Sequence, residues 1–458
     1  MRVVGRVAVG CKGYGAPGCA RYAWQFGLGS LLDVPHHQQH PSAAHDAFAA
    51  LRIANYRRFA VGFLFGSTGL QVMNTAIAWE IWARTHDPLA LGVMGLCRAL
   101  PVVLLSLLAG HVADTRDRKA IVVATQAGFA AVALGFSLLS WMDAPVFAFY
   151  VLLVVSACVR AFNGPARQGF LPLIVPNSRF QNVVTYQSGI FQFAAIAGPL
   201  AAGVLIAYLP AIWPVYLLTA IGCVIFSVTV AAVKPRAAPR GNRAVTVKAM
   251  FAGMSHMWHE RPVFGAILLD MLAVVFGGAT ALLPQYADEL LGASSEQAPI
   301  LLGILRASPY VGALAMAGWL AFRPNFRNAG PMLLWSVAVF AGATIAFGYA
   351  TVPWVAVLAL AVAGAADNIS VVIRHVLVQM RTPDHLRGRV GAVNTMFIEC
   401  SNELGGFESG VVARFFGPVA SVVSGGIGTL LVLGVITMAV PQLRKLRQIE
   451  PLREPDPA

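Results

Sequence analysis

Long apolar stretches alternate with short polar connections from about residue 50 to residue 441. Each stretch is roughly 20 residues long, which is the length that a helix needs to cross a bilayer, and none shows the two-residue alternation of barrel strands. The predicted spans are 59–82, 89–112, 120–141, 146–168, 183–208, 212–233, 262–286, 297–321, 329–350, 353–376, 390–414 and 418–441. The pattern therefore predicts an all-α polytopic membrane protein with twelve transmembrane helices.

Two groups of residues recur at nearly the same offset, which indicates an internal duplication. The pattern Arg-Ala-x-Pro at residues 98–101 returns 208 positions later at 306–309. Three residues return at an offset of 207: Pro176, Gly198 and Gly203 recur as Pro383, Gly405 and Gly410. The twelve spans are thus expected to form two six-helix pseudo-repeats, and many transporters are built this way, with the substrate path between the halves.

The duplication divides the chain into a predicted N-terminal bundle at 46–233 and a C-terminal bundle at 262–441. Residues 234–261 form the longest hydrophilic connection and separate the two, and residues 442–458 form a polar tail. The first 45 residues are rich in Gly, Pro and His and have no long apolar run. They are expected to be either a disordered tail or an extension from a start codon placed too early.

Composition and charge placement agree with a membrane location. Hydrophobic residues make up 57% of the chain and charged residues 12%, whereas a soluble domain carries about a quarter charged residues. The net charge of +13 does not imply a nucleic-acid partner, because the basic residues lie in short connections on one predicted face. Positive residues mark the cytoplasmic side, so an inner-membrane protein with both termini in the cytoplasm is expected.

Sequence patterns of enzymes and cofactor sites are absent. None of the six cysteines forms a CxxC pair, and four of them lie in apolar segments as small buried side chains do. The chain contains no GxxxxGK[ST], HExxH or GxSxG pattern, which argues against direct use of ATP and against a membrane enzyme. Neither a cofactor nor a bound metal is expected.

The connection after the second predicted span reads GHVADTRDRK from Gly110 to Lys119. It resembles the signature loop of the major facilitator superfamily, G-x-x-x-D-R-x-G-R/K-R/K. Thr115 stands where the family usually has Arg, and Asp117 where it often has Gly. An Asp at that second position is similar to the branch that contains the enterobactin exporter and related multidrug efflux proteins.

The resemblance implies that this loop acts as a conformational latch. Gly110 would let two helices approach closely, and Asp114 would pair with basic side chains in one state and release them in another. The predicted latch residues are Gly110, Asp114, Arg116, Arg118 and Lys119. The alternative is an ordinary positive loop at the cytoplasmic face.

The fifth span contains Gly198-Pro199 and a trailing Gly203. This resembles the motif that exporters of the superfamily carry in the same helix, and it implies a preference for export. Pro199 frees a backbone carbonyl and kinks the helix, and the glycines permit tight packing on a neighbour. A plain packing kink explains the same residues.

Charged side chains inside spans cost at least ~2.5 kcal/mol each and need a reason. Because burial favours the neutral form of a carboxyl group, the proton-coupling candidates are Glu403, Asp270, Glu399 and Asp367. The cavity or gate candidates are Arg98, Arg306, Gln71, Asn74, Gln187 and Asn394. Arg98 and Arg306 occupy equivalent sites in the two halves, and a structural role for them is the alternative. Arg160, Arg374 and Glu80 are expected to be interface anchors.

The leading hypothesis is a secondary active, proton-coupled exporter of a small amphiphilic drug, siderophore or related metabolite, working by alternating access in the lipid bilayer. The resemblance implies a monomer. An uptake carrier or a lysophospholipid flippase of the same fold is the second possibility, and a transport-dead sensor or scaffold is the third. The sequence does not identify the cargo.

Overall fold

The computed structural model describes residues 50–236, 258, 260–294, 296–322, 328–383 and 386–447. The predicted tail at 1–45 and most of the 234–261 connection lie outside these ranges, as does the end of the 442–458 tail. The long helices are α1 (Ala54–Thr85), α2 (Pro88–Thr115), α3 (Arg118–Trp141), α4 (Val146–Ile174), α5 (Phe180–Tyr208), α6 (Trp213–Ala231), α7 (Arg261–Phe276), α8 (Ala298–Ala321), α9 (Ala329–Gly348), α10 (Pro353–Met380), α11 (Arg387–Phe416) and α12 (Pro418–Ala439). These helices match the predicted segments in order and position, and no strand occurs among the described residues.

Ten of the described helices are long and apolar enough to cross a membrane. Helix α7 reaches this length through an irregular continuation after Gly277-Gly278: a 3-10 turn at Ala279–Leu282, a helical turn at Leu283–Gln285 and a π turn at Tyr286–Leu290. Of the two helices that fall short, α1 carries the uncharged polar residues Gln71 and Asn74 in its central part, and α11 carries Glu399, Glu403 and Glu408. The prediction of an all-α polytopic membrane protein is confirmed, and the count of twelve spans stays a prediction.

The sequence duplication reappears as duplicated packing of helices within each half. A Cβ atom added to Gly198 of α5 would lie 2.5 Å from the Cβ of Gln71 in α1. At Gly405, the copy of Gly198 in α11, an added Cβ would lie 2.6 Å from the backbone oxygen of Val274 in α7. The pair α5–α1 in the first half therefore corresponds to the pair α11–α7 in the second.

Equivalent packing also joins the two halves to each other. An added Cβ at Gly203 of α5 would lie 2.5 Å from the backbone oxygen of Pro299 in α8. At Gly410, its copy in α11, an added Cβ would lie 2.6 Å from the Cα of Gly92 in α2. The α5–α8 and α11–α2 contacts are thus related by the same pseudo-symmetry, which confirms the two pseudo-repeats.

The polar connections gather at two ends of the helix bundle. The acidic end holds Asp87, Asp143 and Asp288, and the basic end holds Arg116, Arg179 and Lys234. At the acidic end, Arg84 donates a hydrogen bond of 3.0 Å to the backbone oxygen of Ala144. At the basic end, Asn55 donates one of 2.9 Å to the backbone oxygen of Lys234. These bonds fix the first half at both ends.

Candidate functional site

The two halves are in close contact towards the acidic end. Backbone contact there occurs at Gly92, Gly95, Gly203, Gly303 and Gly410, where an added Cβ would lie 2.4–3.1 Å from backbone atoms of the opposite half. Polar contacts lie nearby: Arg414 of α11 is 3.3 Å from the carboxylate of Asp87, and the indole of Trp82 donates a 2.9 Å hydrogen bond to Asp288. Because the small residues remove all clearance between helices, this end of the interface is closed.

Glycines of the same four helices near the basic end have no such neighbours. An added Cβ would meet no atom within 4 Å at Gly110 of α2, Gly189 of α5, Gly318 of α8 or Gly391 of α11. Gly110 therefore makes no close helix contact in this conformation, and its predicted role in the latch stays a prediction. The described contacts thus indicate backbone contact between the halves at the acidic end and free space beside these four glycines near the basic end, beyond the 3.7 Å contact of Ser106 with Met396.

Arg98 and Arg306, the duplicated pair, converge on one residue between these two regions. Arg98 of α2 donates a 3.3 Å hydrogen bond to the side-chain oxygen of Asn74 in α1. Arg306 of α8 donates a 3.3 Å hydrogen bond to the backbone oxygen of the same Asn74. The structure therefore brings together three of the predicted cavity residues, one of which comes from the opposite half of the chain.

A small cavity beside Arg98 collects further charged groups. It is lined by Arg98, Arg160, Glu399 and Glu403, together with Ala99, Val102 and Cys400. Arg160 of α4 lies 3.9 Å from Glu399, and both side chains are about half exposed. Glu403 lies within electrostatic range of both Arg98 and Arg306. Two of the four proton-coupling candidates thus belong to this arginine-rich region.

The other two candidates, Asp270 and Asp367, line a second small cavity between α7, α9 and α10. Asp270 forms a buried ion pair with Arg374 of α10, with side chains 6% and 4% exposed. The expectation that Arg374 reaches out to the membrane interface is wrong, because its guanidinium group turns inward to neutralise Asp270. Asp367 forms neither an ion pair nor a hydrogen bond with the described residues.

Glu80 is also not the interface anchor that its position near a helix end suggested. Its side chain is 3% exposed and accepts hydrogen bonds of 2.7 Å from both Arg84 and the hydroxyl of Tyr216 in α6. A buried carboxylate satisfied by two donors in this way has a structural role. Neither Tyr216 nor Trp82 carried a sequence signal, because aromatic residues in spans pack in most positions.

The predicted latch residues lie together at the basic end, but their observed contacts stay within the first half. Arg118 lies 3.4 Å from Asp114 and donates a 3.0 Å hydrogen bond to the backbone oxygen of Gly169 in α4. The backbone nitrogen of Lys119 donates to Asp117, which caps α3. Arg116 is exposed. In this conformation the loop braces α2, α3 and α4.

The remaining predicted cavity residues lie apart from Asn74 or have a packing role. Gln71 packs against Gly198. Gln187 precedes Gly198 by eleven positions, which is roughly 16 Å along α5. Asn394 precedes Glu403 by nine positions, roughly 13 Å along α11. Asn394 is buried and its side-chain oxygen accepts no hydrogen bond from the described residues.

The arrangement of helices matches those of solved membrane transporters. A bacterial homologue of the human lysosomal transporter Spinster, in an inward-facing and unoccupied conformation, superposes with a TM-score of 0.66 at 13% identity and covers 88% of this chain and 99% of its own. A bacterial homologue of the iron transporter ferroportin, also inward-facing, gives 0.64 at 16% identity, covering 85% and 98%. The chain therefore has the helical fold of these two proteins.

Comparison of sequences identifies the family to which the chain belongs. The family model described as transmembrane secretion effector matches residues 45–457, and the chain belongs to this family. The enterobactin exporter EntS of Escherichia coli O1:K1 is 22% identical over 408 residues, which cover 89% of this chain and 95% of that protein. EntS of Shigella boydii serotype 18 is 22% identical over 411 residues. The protein is a multi-pass membrane transporter, and its family and fold are those of transporters rather than enzymes.

Proposed function

We propose that this protein is a proton-coupled exporter that moves small amphiphilic compounds out of the cytoplasm by alternating access. The halves 46–233 and 262–441 would rock against each other around the region of Arg98 and Arg306. The observation that carries the proposal is the contrast between backbone contact of the halves at the acidic end and free space beside the glycines of the same helices near the basic end. The relatives named as enterobactin exporters favour export as the direction and a siderophore or related metabolite as the cargo.

The orientation of the protein in the membrane determines which step of the transport cycle this conformation represents. By the rule that positive residues remain inside, we take the basic connections, and with them both termini, to be cytoplasmic. The state described would then be open to the cytoplasm and closed to the outside. An exporter loads its cargo in that state, as a monomer whose two pseudo-repeats supply both walls of the path.

We assign Asp367 as the carboxylate that binds the transported proton. Asp270 is neutralised by Arg374, and Glu399 lies beside Arg160. Glu403 faces two guanidinium groups. A positive partner competes with a proton for a carboxylate, so a carboxylate without such a partner is the better candidate for the proton site. Asp367 lacks such a partner among the described residues, so binding a proton is the way in which its charge can be removed inside the bundle.

The experiment uses inverted membrane vesicles that hold an acid interior. Dyes, antibiotics and siderophores are added one at a time, and the internal pH is followed for wild type, Asp367→Asn and Asp143→Asn. The control makes the same chemical change at a carboxylate that is 92% exposed at the acidic end. We expect a subset of compounds to dissipate the gradient with wild type and Asp143→Asn but not with Asp367→Asn.

Two results would count against the proposal. If no compound dissipates the gradient although wild type is folded and inserted, proton-coupled export is wrong, and uptake or lysophospholipid flipping becomes the hypothesis to test. If Asp367→Asn behaves as wild type does, export can stand but the proton site is elsewhere.

A further inference from the structure

Arg98 and Arg306 are charged groups in the middle of the bundle that lack a carboxylate partner. No carboxylate oxygen of the described residues lies within 4 Å of either guanidinium group. Their observed acceptors are the side-chain and backbone oxygens of Asn74, which are neutral. A cation at this depth costs at least ~2.5 kcal/mol on insertion scales. Two such cations side by side therefore need either a compensating negative charge or a function that depends on their positive charge.

The nearby carboxylates do not supply enough compensation. Glu399 lies beside Arg160, which leaves Glu403 to face both Arg98 and Arg306. The two guanidinium groups also lie within electrostatic range of each other. The group formed by these two arginines and Glu403 thus carries one surplus positive charge, and a single additional anion would balance it.

Arg306 also has an unused hydrogen-bond donor. Its Nε is buried and has no acceptor among the described residues. A guanidinium group presents its N–H donors in a planar fork that matches the two oxygens of a carboxylate or phosphate. A buried donor without a partner is costly, and an oxyanion placed at this fork would remove the cost.

We propose that Arg98 and Arg306 form a two-sided clamp that binds an oxyanion group, carboxylate or phosphate, of the transported compound. One arm comes from each half of the chain, and Asn74 holds both arms in position. The clamp lies just beyond the closed glycine contacts, so a cargo entering from the basic end reaches it last. This inference rests on the proposed transport function and adds the charge class of the cargo.

The duplication explains why the clamp has two arms. Arg98 and Arg306 occupy equivalent positions of the repeats, so they face each other across the interface between the halves. An anion held by both arms would link the halves in the way that a pseudo-symmetric carrier requires. Release would follow when the halves rock apart at the acidic end and the arms separate.

The test measures binding directly and does not depend on proton coupling. The full chain is placed in phosphatidylcholine nanodiscs, and the fluorescence of dansyl-leucine, a carboxylate, is compared with that of dansyl-leucine amide, its neutral analogue. Wild type should bind the carboxylate at least about tenfold more tightly than the amide, as expected for a charge-assisted contact. Arg98→Gln and Arg306→Gln should each remove most of this preference, because binding of the carboxylate weakens more than binding of the amide.

Matched variants separate the clamp from a fold defect. Arg58→Gln makes the same change at an arginine whose side chain bonds to the backbone oxygen of Ala232 at the basic end, and it should keep the carboxylate preference. Arg306→Lys keeps the charge without the fork, so it should recover part of the preference. If both arms hold one anion, the double Arg98→Gln/Arg306→Gln variant should lose less than the two single losses combined.

The source of the oxyanion is decided by competition. Displacement of the probe by octanoate identifies a soluble organic anion, and displacement by lysophosphatidic acid but not octanoate identifies a lipid headgroup; either supports the clamp. Absence of a carboxylate preference in wild type, whether both probes bind equally or neither binds, overturns it. So does a preference that survives both single variants. A carboxylate preference without gradient dissipation in vesicles would keep the clamp and reject proton-coupled export.

Discussion

Asp270 of α7 and Arg374 of α10 neutralise each other inside the second half, 104 positions apart in sequence. Asp270 also lines the small cavity that Asp367 and Ser370 line. Asp367, Ser370 and Arg374 are spaced three and four positions apart, so they share one face of α10. A change of charge at Asp367 would therefore act on a helix face that already holds the Asp270 pair, and α7 and α10 can respond together.

Breaking this pair should destabilise the protein strongly. Arg374→Gln leaves Asp270 buried without a counter-charge, which costs about 3–5 kcal/mol in folded proteins. The double variant Arg374→Gln/Asp270→Asn removes both charges and should recover much of the loss. Thermal unfolding in detergent measures both effects. The control Arg414→Gln removes a half-exposed arginine from its pair with Asp87 and should cost less than about 1 kcal/mol.

A double variant less stable than either single variant would contradict the ion pair as the reason. It would show instead that the two side chains support the fold through separate contacts.

The sequence predicted the helices closely because span length and apolar content are local properties. The repeat was visible because Arg98 and Arg306 begin the same Arg-Ala-x-Pro pattern. What it could not predict is which way a charged side chain turns. Arg374 and Glu80 lie near helix ends, where either an inward or an outward direction is possible. Their partners Asp270 and Tyr216 lie on helices distant in sequence, so the choice depends on how helices pack rather than on depth.

The closed acidic end should open when a side chain is placed at Gly203. Gly203→Leu would put carbon atoms where the backbone of Pro299 lies, so α5 and α8 could not meet. Spin labels at Asp143 and Tyr349, exposed residues of the two halves at this end, should report a longer distance. Gly189→Leu in the same helix has free space and should leave that distance unchanged. An equal effect of both variants would point to a general defect of α5.

Asp288 should help to keep the same end closed. It accepts the 2.9 Å hydrogen bond from the Trp82 indole and lies 3.8 Å from His86, both in the first half. Asp288→Ala removes these contacts, and a hydrogen bond is worth about 1 kcal/mol, so the open fraction at this end should rise about fivefold. The label pair described above measures the fraction.

Glu289→Ala is the matched control for Asp288. Glu289 accepts a hydrogen bond from Gln285 within its own turn, so its removal breaks no contact between the halves. If Glu289→Ala opens the acidic end as much as Asp288→Ala does, the effect comes from disturbing the π turn at Tyr286–Leu290 and not from the lost contact.

The variant Asp114→Asn distinguishes a latch that joins the two halves from a brace within the first half. In the described state Asp114 pairs with Arg118 four positions on, and both side chains are about one-third exposed. Such a pair contributes about 0.3–0.5 kcal/mol, so Asp114→Asn should barely change thermal stability. A latch would act only when the basic end closes, because there Asp114 would meet a basic group of the second half. Asp114→Asn should then lower the fraction of molecules with a closed basic end.

Spin labels at His111 and Phe322, exposed at the basic ends of α2 and α8, measure that fraction. Asp117→Asn is the matched control, since it removes the same charge three positions away. Asp117 caps α3 by accepting from the backbone nitrogen of Lys119, and Asn caps a helix as well as Asp does. A loss of closure in Asp114→Asn alone would establish a latch specific to that carboxylate. Equal losses would mean that the net charge of the loop sets the balance, and no loss in either would leave the loop as a brace of α2, α3 and α4.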